Sequence, residues 1–230
     1  MLVNLKYVLD LAEKGGFCIP AFNVYNMESA MGVVKAAEET RAPIIMQVYP
    51  RLMKEEAGYY LSPVIIAAAK RASVPVCFHL DHGPSELETT RAIRYGATGI
   101  MLDGSTLPFE ENIAATKRVV DTCAHLDIQV EGELGHIGTT NDDTMDEFTT
   151  PEDAKRFVEE TGVACLAVAA GIRKMDFATD ICYAFLDCCL EELSKPERVV
   201  AVDNFMKKPI QAVKDFCVSR IKLVGADGKG

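Results

Sequence analysis

The stretch PVCFHLDHG, residues 75–83, joins an apolar run to a cluster of ionisable side chains. Its first part is apolar without polar alternation, which predicts a strand buried on both faces of a sheet. Because side chains alternate between the faces of a strand, His79 and Asp81 point the same way, while His82 lies at the turn that follows. A carboxylate beside an imidazole at the end of a strand suits metal binding together with proton transfer.

Comparable short apolar runs lie on both sides of this stretch and alternate with longer amphipathic segments. The predicted strands cover residues 17–22, 43–48, 75–80, 98–102, 128–134 and 164–170. The helical patterns between them include Glu28–Thr40, Ser85–Tyr95, Phe109–His125 and Pro151–Thr161. Regular alternation of strand and helix predicts an α/β fold with a parallel sheet, either closed into a barrel or open.

Two structures fit the C-terminal part of the sequence. In the first, residues 198–204 and 220–224 are two further strands with a helix between them. In the second, residues 177–193 and 204–223 are C-terminal helices, and the barrel is short. Hydrophobic periodicity does not separate the two, because short apolar runs fit strands and helices alike.

Length and composition favour one globular domain in a cytoplasmic protein. The chain has 230 residues, of which 49% are hydrophobic and 25% are charged. Its net charge of −10 argues against a nucleic-acid partner, which requires clustered Lys and Arg side chains. The N-terminal sequence is charged and lacks the apolar stretch of a signal peptide, so we expect none there. No apolar run is long enough to predict a membrane partner. The eight cysteines sit mostly in apolar runs, as reduced thiols of cytoplasmic proteins do.

Polar side chains also follow the neighbouring predicted strands. Asn23, Asp103 and Glu133 each stand at the carboxyl end of such a strand. In an α/β barrel the carboxyl ends of the strands form the catalytic face, where these residues join Asp81 and His82. Each side chain alone fits a solvated loop charge or a helix cap, so the prediction of an active site rests on their convergence.

Four motifs follow one another along the chain: GGFCIPAFNVYN (15–26), HLDHG (79–83), GIMLDGSTLPFEENI (99–113) and VEGELG (130–135). In this order and spacing they resemble the class II, metal-dependent ketose-bisphosphate aldolases, over about residues 5–171. The chain is most similar to the tagatose- and fructose-bisphosphate enzymes of carbohydrate metabolism and glycolysis. The resemblance implies a TIM (β/α) barrel and zinc-dependent, reversible cleavage of a ketose 1,6-bisphosphate to dihydroxyacetone phosphate and glyceraldehyde 3-phosphate.

The resemblance also implies a role for individual residues. Asp81 is implied to transfer a proton at the aldehyde-side hydroxyl group, and His82 to be one of three zinc-binding histidines. Asp103 and Glu133 resemble carboxylates that hold a second divalent or monovalent cation, or that orient the ligands of the first. Asn23 resembles a residue that contacts the substrate.

The chain departs from the family pattern in two places. Asn141 stands where the family has a catalytic glutamate, and an amide does not accept a proton as a carboxylate does. His136 is the only histidine after Glu133, so two zinc ligands of the family have no counterpart. One imidazole with carboxylates differs from the three imidazoles of the family's zinc site.

Residues 173–185 resemble the eighth strand and phosphate-binding stretch of the family, although the family's seventh strand has no counterpart before them. The resemblance therefore implies an incomplete barrel, shortened around strands 6–8 by an internal deletion. A single aldolase-like domain, 1–230, then holds strands 1–6 in residues 1–171. The remnant of strand 8 and the C-terminal helices occupy 172–230.

Asp176, Ala178 and Thr179 fall on the phosphate-binding positions of the family and are implied to bind substrate. Asp176 replaces an asparagine there. Its negative charge repels a phosphate group unless Arg173 or Lys174 compensates for it.

Three hypotheses about function follow. The chain is an active lyase that binds a phosphorylated sugar, or it is a catalytically impaired aldolase-like subunit. In the third, which no specific residue supports, it is a metal-independent barrel that binds another small phosphorylated or carbonyl compound. A barrel that lacks a strand exposes strand edges and apolar surface. We therefore also expect a homo-oligomer, or pairing with a homologous subunit.

Overall fold

The computed structural model describes residues 1–135, 149–167, 173–197 and 199–230. Its strands in these ranges are β1 (Leu2–Val3), β2 (Ile19–Asn23), β3 (Ile44–Val48), β4 (Val76–Gly83), β5 (Gly99–Leu102), β6 (Gln129–Glu133), β7 (Cys165–Ala167) and β8 (Lys174–Phe177). Strands β2 to β7 fall on the six runs predicted from the sequence. Of the predicted strand 164–170, residues 168–170 lie outside the described ranges.

Helices separate most of these strands. They are α1 (Leu5–Gly15), α2 (Met27–Thr40), α3 (Pro50–Lys54), α4 (Glu56–Arg71), α5 (Glu86–Arg94), α6 (Phe109–Cys123), α7 (Pro151–Thr161), α8 (Thr179–Leu193) and α9 (Val202–Leu223), with a 3₁₀ turn at Ala124–Leu126. Helices α8 and α9 confirm the second interpretation of the C-terminal sequence, in which it is helical. The two-strand interpretation of that region is wrong, because residues 202–223 form one helix.

The strands form a single parallel sheet in the order β7-β6-β5-β4-β3-β2-β8, and β1 pairs with β4 at its amino end. Each strand from β3 to β7 is added beside the preceding one, and β8 returns to the free side of β2. This is the winding of a TIM barrel. In the described part of the chain β7 and β8 do not pair with each other, so the fold is an open, incomplete TIM barrel with C-terminal helices, as predicted.

The two faces of the sheet differ in chemistry. Phe22, Phe78 and Leu80 point outward and are fully buried under the helices. The inward face carries polar and charged side chains that are just as well buried, among them Gln47 and His79. At the C-terminus, α9 packs against α2, and α8 packs against α9. The inward face is therefore the part of the fold that can do chemistry.

Among the described helices, none is both long enough and apolar enough to cross a lipid bilayer. All eight cysteines lie in the described ranges, and none of them forms a disulfide.

Candidate metal and acid–base site

The carboxyl ends of four strands, β2, β4, β5 and β6, bring the predicted polar side chains to one rim of the sheet. Asn23 ends β2, Asp81 and His82 lie at the end of β4, and Glu133 ends β6. Asp103 directly follows β5. Because all these strands are parallel, their carboxyl ends meet at the same edge.

A β-bulge near the carboxyl end of β4 sets the orientation of the His82 side chain. Leu80 pairs with Ile100 and Gly83 pairs with Leu102, so β4 has one more residue than β5 between these two pairs. His82 has a φ of 47°, a left-handed conformation that is uncommon for a residue other than glycine. Bulges and strained residues of this kind redirect side chains and cluster at functional sites. Here the bulge turns the imidazole of His82 towards the ends of β5 and β6.

Gly83 makes this bulge possible. A Cβ atom at this position would lie 2.4 Å from the carbonyl oxygen of Met101 and 2.7 Å from Leu80 Cδ2. No larger residue fits without moving the backbone of β5. The glycine that ends the motif HLDHG therefore allows β4 and β5 to approach closely beside His82.

His82, Asp103 and Glu133 form a compact group of potential metal ligands. His82 Nδ1 lies 3.0 Å from Asp103 Oδ2 and 3.3 Å from Glu133 Oε2. One ligand atom from each residue falls within 4.8 Å of the others. Two ligand atoms that each lie about 2.1 Å from one ion, at right angles, are about 3.0 Å apart. The three side chains are thus spaced as neighbouring ligands of one divalent cation.

The three side chains of this group shift one another's pKa values. Hydrogen bonds with Asp103 and Glu133 raise the pKa of His82 to about 11. Burial raises the pKa of Asp103, but hydrogen bonds from His82 and Ser105 outweigh it and hold that pKa well below its usual range. Burial, with Asp103 nearby, raises the pKa of Glu133 despite the opposing effect of His82. The two carboxylates therefore favour a positive charge at His82, which either a proton or a metal ion can provide.

The carboxylate of Asp81 is held in place by a chain of hydrogen bonds through the side-chain amides of two neighbouring residues. Gln47 Nε2 donates to Asn23 Oδ1, and Asn23 Nδ2 donates to Asp81 Oδ2, each at 2.8 Å. The Asp81 side chain is 6% exposed, and its Oδ1 lies 4.0 Å from His82 Nε2. This oxygen has no hydrogen-bond partner among the described residues. One oxygen of Asp81 is thus anchored, and the other is available to accept a proton.

Below the rim, a buried charge network fills the interior of the barrel. Lys174 Nζ lies 3.2 Å from Glu131 Oε2 and 2.9 Å from Asp176 Oδ1, and His79 Nε2 lies 2.9 Å from the same Glu131 oxygen. Burial raises the pKa of Glu131, but Lys174 and His79 outweigh it and bring the pKa down to about 2. Lys174 therefore supplies the cation expected beside Asp176. Arg173 instead pairs with Glu13 on the surface, at 3.0 Å.

A cavity of about 350 Å³ opens onto the rim. It is lined by five of the residues predicted from the sequence, namely Asn23, Asp81, His82, Asp176 and Ala178. Thr179 starts α8 next to Ala178 but does not line the cavity. The structure thus brings Asp81, His82 and three of the substrate candidates together around one cavity, while Asp103 and Glu133 contact His82 without lining it. The individual roles of these residues stay predictions.

Four residues of the cavity wall escaped the sequence analysis: Tyr25, Tyr49, Arg51 and Leu52. Tyr49 and Arg51 follow β3, whose predicted end at residue 48 was clear from its apolar run. The rule that singled out Asp103, a polar side chain just beyond a strand, applies equally to them. Neither residue is a carboxylate or a histidine, so neither carries the metal-ligand or acid–base signal of Asp81, His82, Asp103 and Glu133.

Two residues of the sequence analysis, His136 and Asn141, lie outside the described residues. In the sequence, His136 directly follows the motif VEGELG.

Comparison with known proteins agrees with the motifs. Residues 3–172 match the family model of class II fructose-bisphosphate aldolase. The crystal structure of the YdjI aldolase from Escherichia coli K12 is similar, with a TM-score of 0.88 and 31% identity, over 100% of this chain and 99% of that one. The crystal structure of fructose-bisphosphate aldolase from Campylobacter jejuni superposes with a TM-score of 0.82 at 18% identity, covering 100% of this chain and 97% of that chain. At this lower identity the likeness concerns the fold alone.

Proposed function

The chain belongs to the class II fructose-bisphosphate aldolase family, and we propose that it is a metal-dependent lyase acting on a ketose 1,6-bisphosphate of the tagatose or fructose type. The products are dihydroxyacetone phosphate and glyceraldehyde 3-phosphate, and the reaction is reversible. The observation that supports this proposal is the convergence of Asp81 with the ligand group His82, Asp103 and Glu133 on one rim. A proton acceptor and a cation site side by side are the parts that aldol cleavage requires.

We propose that His82 Nδ1, Asp103 Oδ2 and Glu133 Oε2 hold the metal ion. A divalent ion bound there supplies Lewis acidity, which stabilises negative charge on a substrate oxygen. Ser105 donates two hydrogen bonds to Asp103 Oδ1, which leaves Oδ2 directed at His82. Zinc is the ion expected from the family. One imidazole and two carboxylates form a more oxygen-rich set than three imidazoles, so we expect manganese to compete with zinc more effectively than at a three-histidine site.

Asp81 is the proposed base. Its free Oδ1 accepts the proton of the substrate hydroxyl group during cleavage and returns it during condensation. The amide of Asn23 fixes the other oxygen, so the carboxylate keeps its orientation in both states. The rim position, beside the cavity, gives a substrate access to this oxygen.

The test is turnover of fructose and tagatose 1,6-bisphosphate, followed by coupled reduction of the triose phosphates. We expect cleavage with added zinc, manganese or cobalt, loss of cleavage with a chelator, and recovery when the metal is restored. Absence of turnover with all three metals would contradict the proposal. Asp81→Asn is the control for background activity, because it removes the base and keeps the shape.

The open barrel supports a second candidate function. Strands β7 and β8 each pair on one side only within the described ranges, and two free edges of a sheet are sites of association. The chain would then be a non-catalytic subunit that pairs with a homologous, intact aldolase. Co-purification with such a chain, together with no turnover by the isolated protein, favours this candidate. An active protein that needs no other chain contradicts it.

The eight cysteines, none of them in a disulfide, support a cytoplasmic location. The net charge of −10 supports a phosphorylated sugar, rather than a nucleic acid, as the partner.

A further inference from the structure

The carboxyl end of β3 carries a cation that the metal and acid–base site does not use. Tyr49 directly precedes the short helix α3, and Arg51 lies within that helix. Strand β3 pairs with β4, with Gln47 beside His79, so these residues stand next to Asp81 on the rim. Both Tyr49 and Arg51 line the same cavity as Asp81 and His82.

The opposite wall of the cavity, at the end of β8, has no positive charge to spare for an anion. Lys174 is the cation beside Asp176, but it also pairs with Glu131, so one ammonium group serves two carboxylates. Neutral Ala178 completes that wall. A substrate anion therefore finds no surplus positive charge at the end of β8, where the family resemblance would have put it.

Arg51 differs in this respect. Within the described part of the chain, its guanidinium group makes neither a hydrogen bond nor an ion pair, and the side chain faces the cavity. It is close enough to Tyr25 to oppose part of the rise in the pKa of that phenol, which burial, Cys182 and Asp81 produce. The phenol of Tyr25 reaches the carbonyl oxygen of Ala178 at 3.4 Å, so it spans the cavity between the two walls.

We propose that Arg51, with the phenol group of Tyr49, binds the anionic group of the substrate and selects for phosphorylated over neutral sugars. A guanidinium group offers five N–H donors in a planar fork that matches phosphate or carboxylate oxygens, and the phenol adds a single donor. Arg51 is thus a specificity-determining residue. The inference rests on the proposed function for the identity of the ligand, but not for the existence of the anion site.

The experiment measures binding without turnover. Inorganic phosphate, acetate and dihydroxyacetone phosphate are titrated into the chelator-treated protein by calorimetry, with neutral dihydroxyacetone as the uncharged probe. We expect both phosphate compounds to bind, and Arg51→Met to weaken them about tenfold to a hundredfold, as loss of charge-assisted hydrogen bonds does. Arg51→Lys should keep part of the affinity, since it retains the charge without the fork. Tighter binding of acetate than of phosphate would identify a carboxylate site instead.

Lys54→Met is the matched control. It removes the same charge from the same helix, but Lys54 lies 3.9 Å from Glu88 and does not line the cavity. Equal weakening by Lys54→Met and Arg51→Met, or phosphate binding that neither variant changes, would overturn the inference. So would an unchanged protein that binds no phosphate. An inactive protein that still binds phosphate through Arg51 leaves the inference intact and contradicts only the proposed function.

Discussion

Asp81 and His82 are adjacent in the chain, yet their side chains lie in different environments. The Asp81 side chain is 6% exposed and anchored by Asn23, whereas that of His82 is 43% exposed and faces two carboxylates. A buried group with one free oxygen suits proton transfer, and an accessible imidazole among carboxylates suits metal binding. The structure therefore supports different roles for the two residues.

Substitution of each residue should separate the two roles. We expect His82→Ala to weaken metal binding by at least about a hundredfold, because loss of a direct ligand costs more than loss of its hydrogen-bond partner. Asp81→Asn should leave the metal content nearly unchanged and lower turnover by about a hundredfold to ten-thousandfold, the usual contribution of a general base. Metal analysis of the purified variants and steady-state kinetics measure the two effects.

His125→Ala provides the control for removing an imidazole, because His125 lies in the exposed 3₁₀ turn away from the rim. It should change neither quantity. Equal metal content in His82→Ala and the unchanged protein would show that His82 is not a ligand.

For single residues, the sequence predicted which carboxylates come together but not how their side chains are oriented. Asp103 and Glu133 could be assigned to the rim because each stands at a strand end. The spacing of His82 Nδ1 to both of them depends on a one-residue bulge and a left-handed φ, which no hydrophobic pattern encodes.

The carboxyl end of β4 is the element that orients His82 towards Asp103 and Glu133. Its bulge depends on Gly83, where an added Cβ atom would meet the backbone of β5 at 2.4 Å. We expect Gly83→Ala to lower the free energy of unfolding by about 1–3 kcal/mol, as overpacking of a filled site does. It should also weaken metal binding, since the two strands must separate beside His82. Chemical denaturation and metal titration of the same variant measure both effects.

Gly228→Ala is the comparison for this prediction. Gly228 has a φ of 73°, and an added Cβ atom there would meet nothing within 4 Å. Its replacement should cost stability through backbone strain alone and leave metal affinity unchanged. Unchanged metal affinity in Gly83→Ala as well would mean that the bulge does not position His82.

Element types were predicted best where the pattern was long and bounded. Helix α7 runs from Pro151 to Thr161 as expected, because Thr150 caps it and Pro151 occupies its first turn. The C-terminal sequence was ambiguous because residues 198–204 have the composition of a strand. Residues 202–223 are nevertheless helical, since α9 gains burial by packing its apolar face against α2.

The molecule as a whole has to hold an open sheet together. Lys174 on β8 reaches Glu131 on β6 across the interior, so this ion pair links two strands on opposite sides of the opening. The side chain of Lys174 is 5% exposed and that of Glu131 is 4% exposed. Removing one partner of such a buried pair typically costs about 3–5 kcal/mol, because it leaves the other charge unpaired.

A double-mutant cycle tests this link. Lys174→Met and Glu131→Gln should each destabilise the protein strongly, and the double variant should be much less destabilised than the sum of the two. Urea denaturation at constant m-value gives the three free energies. Lys6→Met breaks the exposed pair Lys6–Asp10 and should cost less than about 1 kcal/mol. Additive effects of the two interior substitutions would mean that the pair does not link β6 and β8.

The outer surface of α8 also bears on how the open molecule is stabilised. Its exposed apolar side chains recur at intervals of three, four and three residues: Tyr183 (60% exposed), Leu186 (59%), Leu190 (67%) and Leu193 (54%). This spacing is that of the seam along which two like helices pack, so we expect a second copy of the chain to cover it.

Substitutions on α8 test this expectation in solution. Light scattering after size exclusion should show a dimer for the unchanged chain and a monomer for Leu190→Glu, because a carboxylate buried without a partner opposes association. Leu223→Glu is matched in exposure, at 67%, but lies at the end of α9, so it should leave the dimer intact. A monomeric unchanged chain would contradict the expected dimer. A dimer that survives Leu190→Glu would mean that another surface, such as the strand edges of β7 and β8, holds the two copies together.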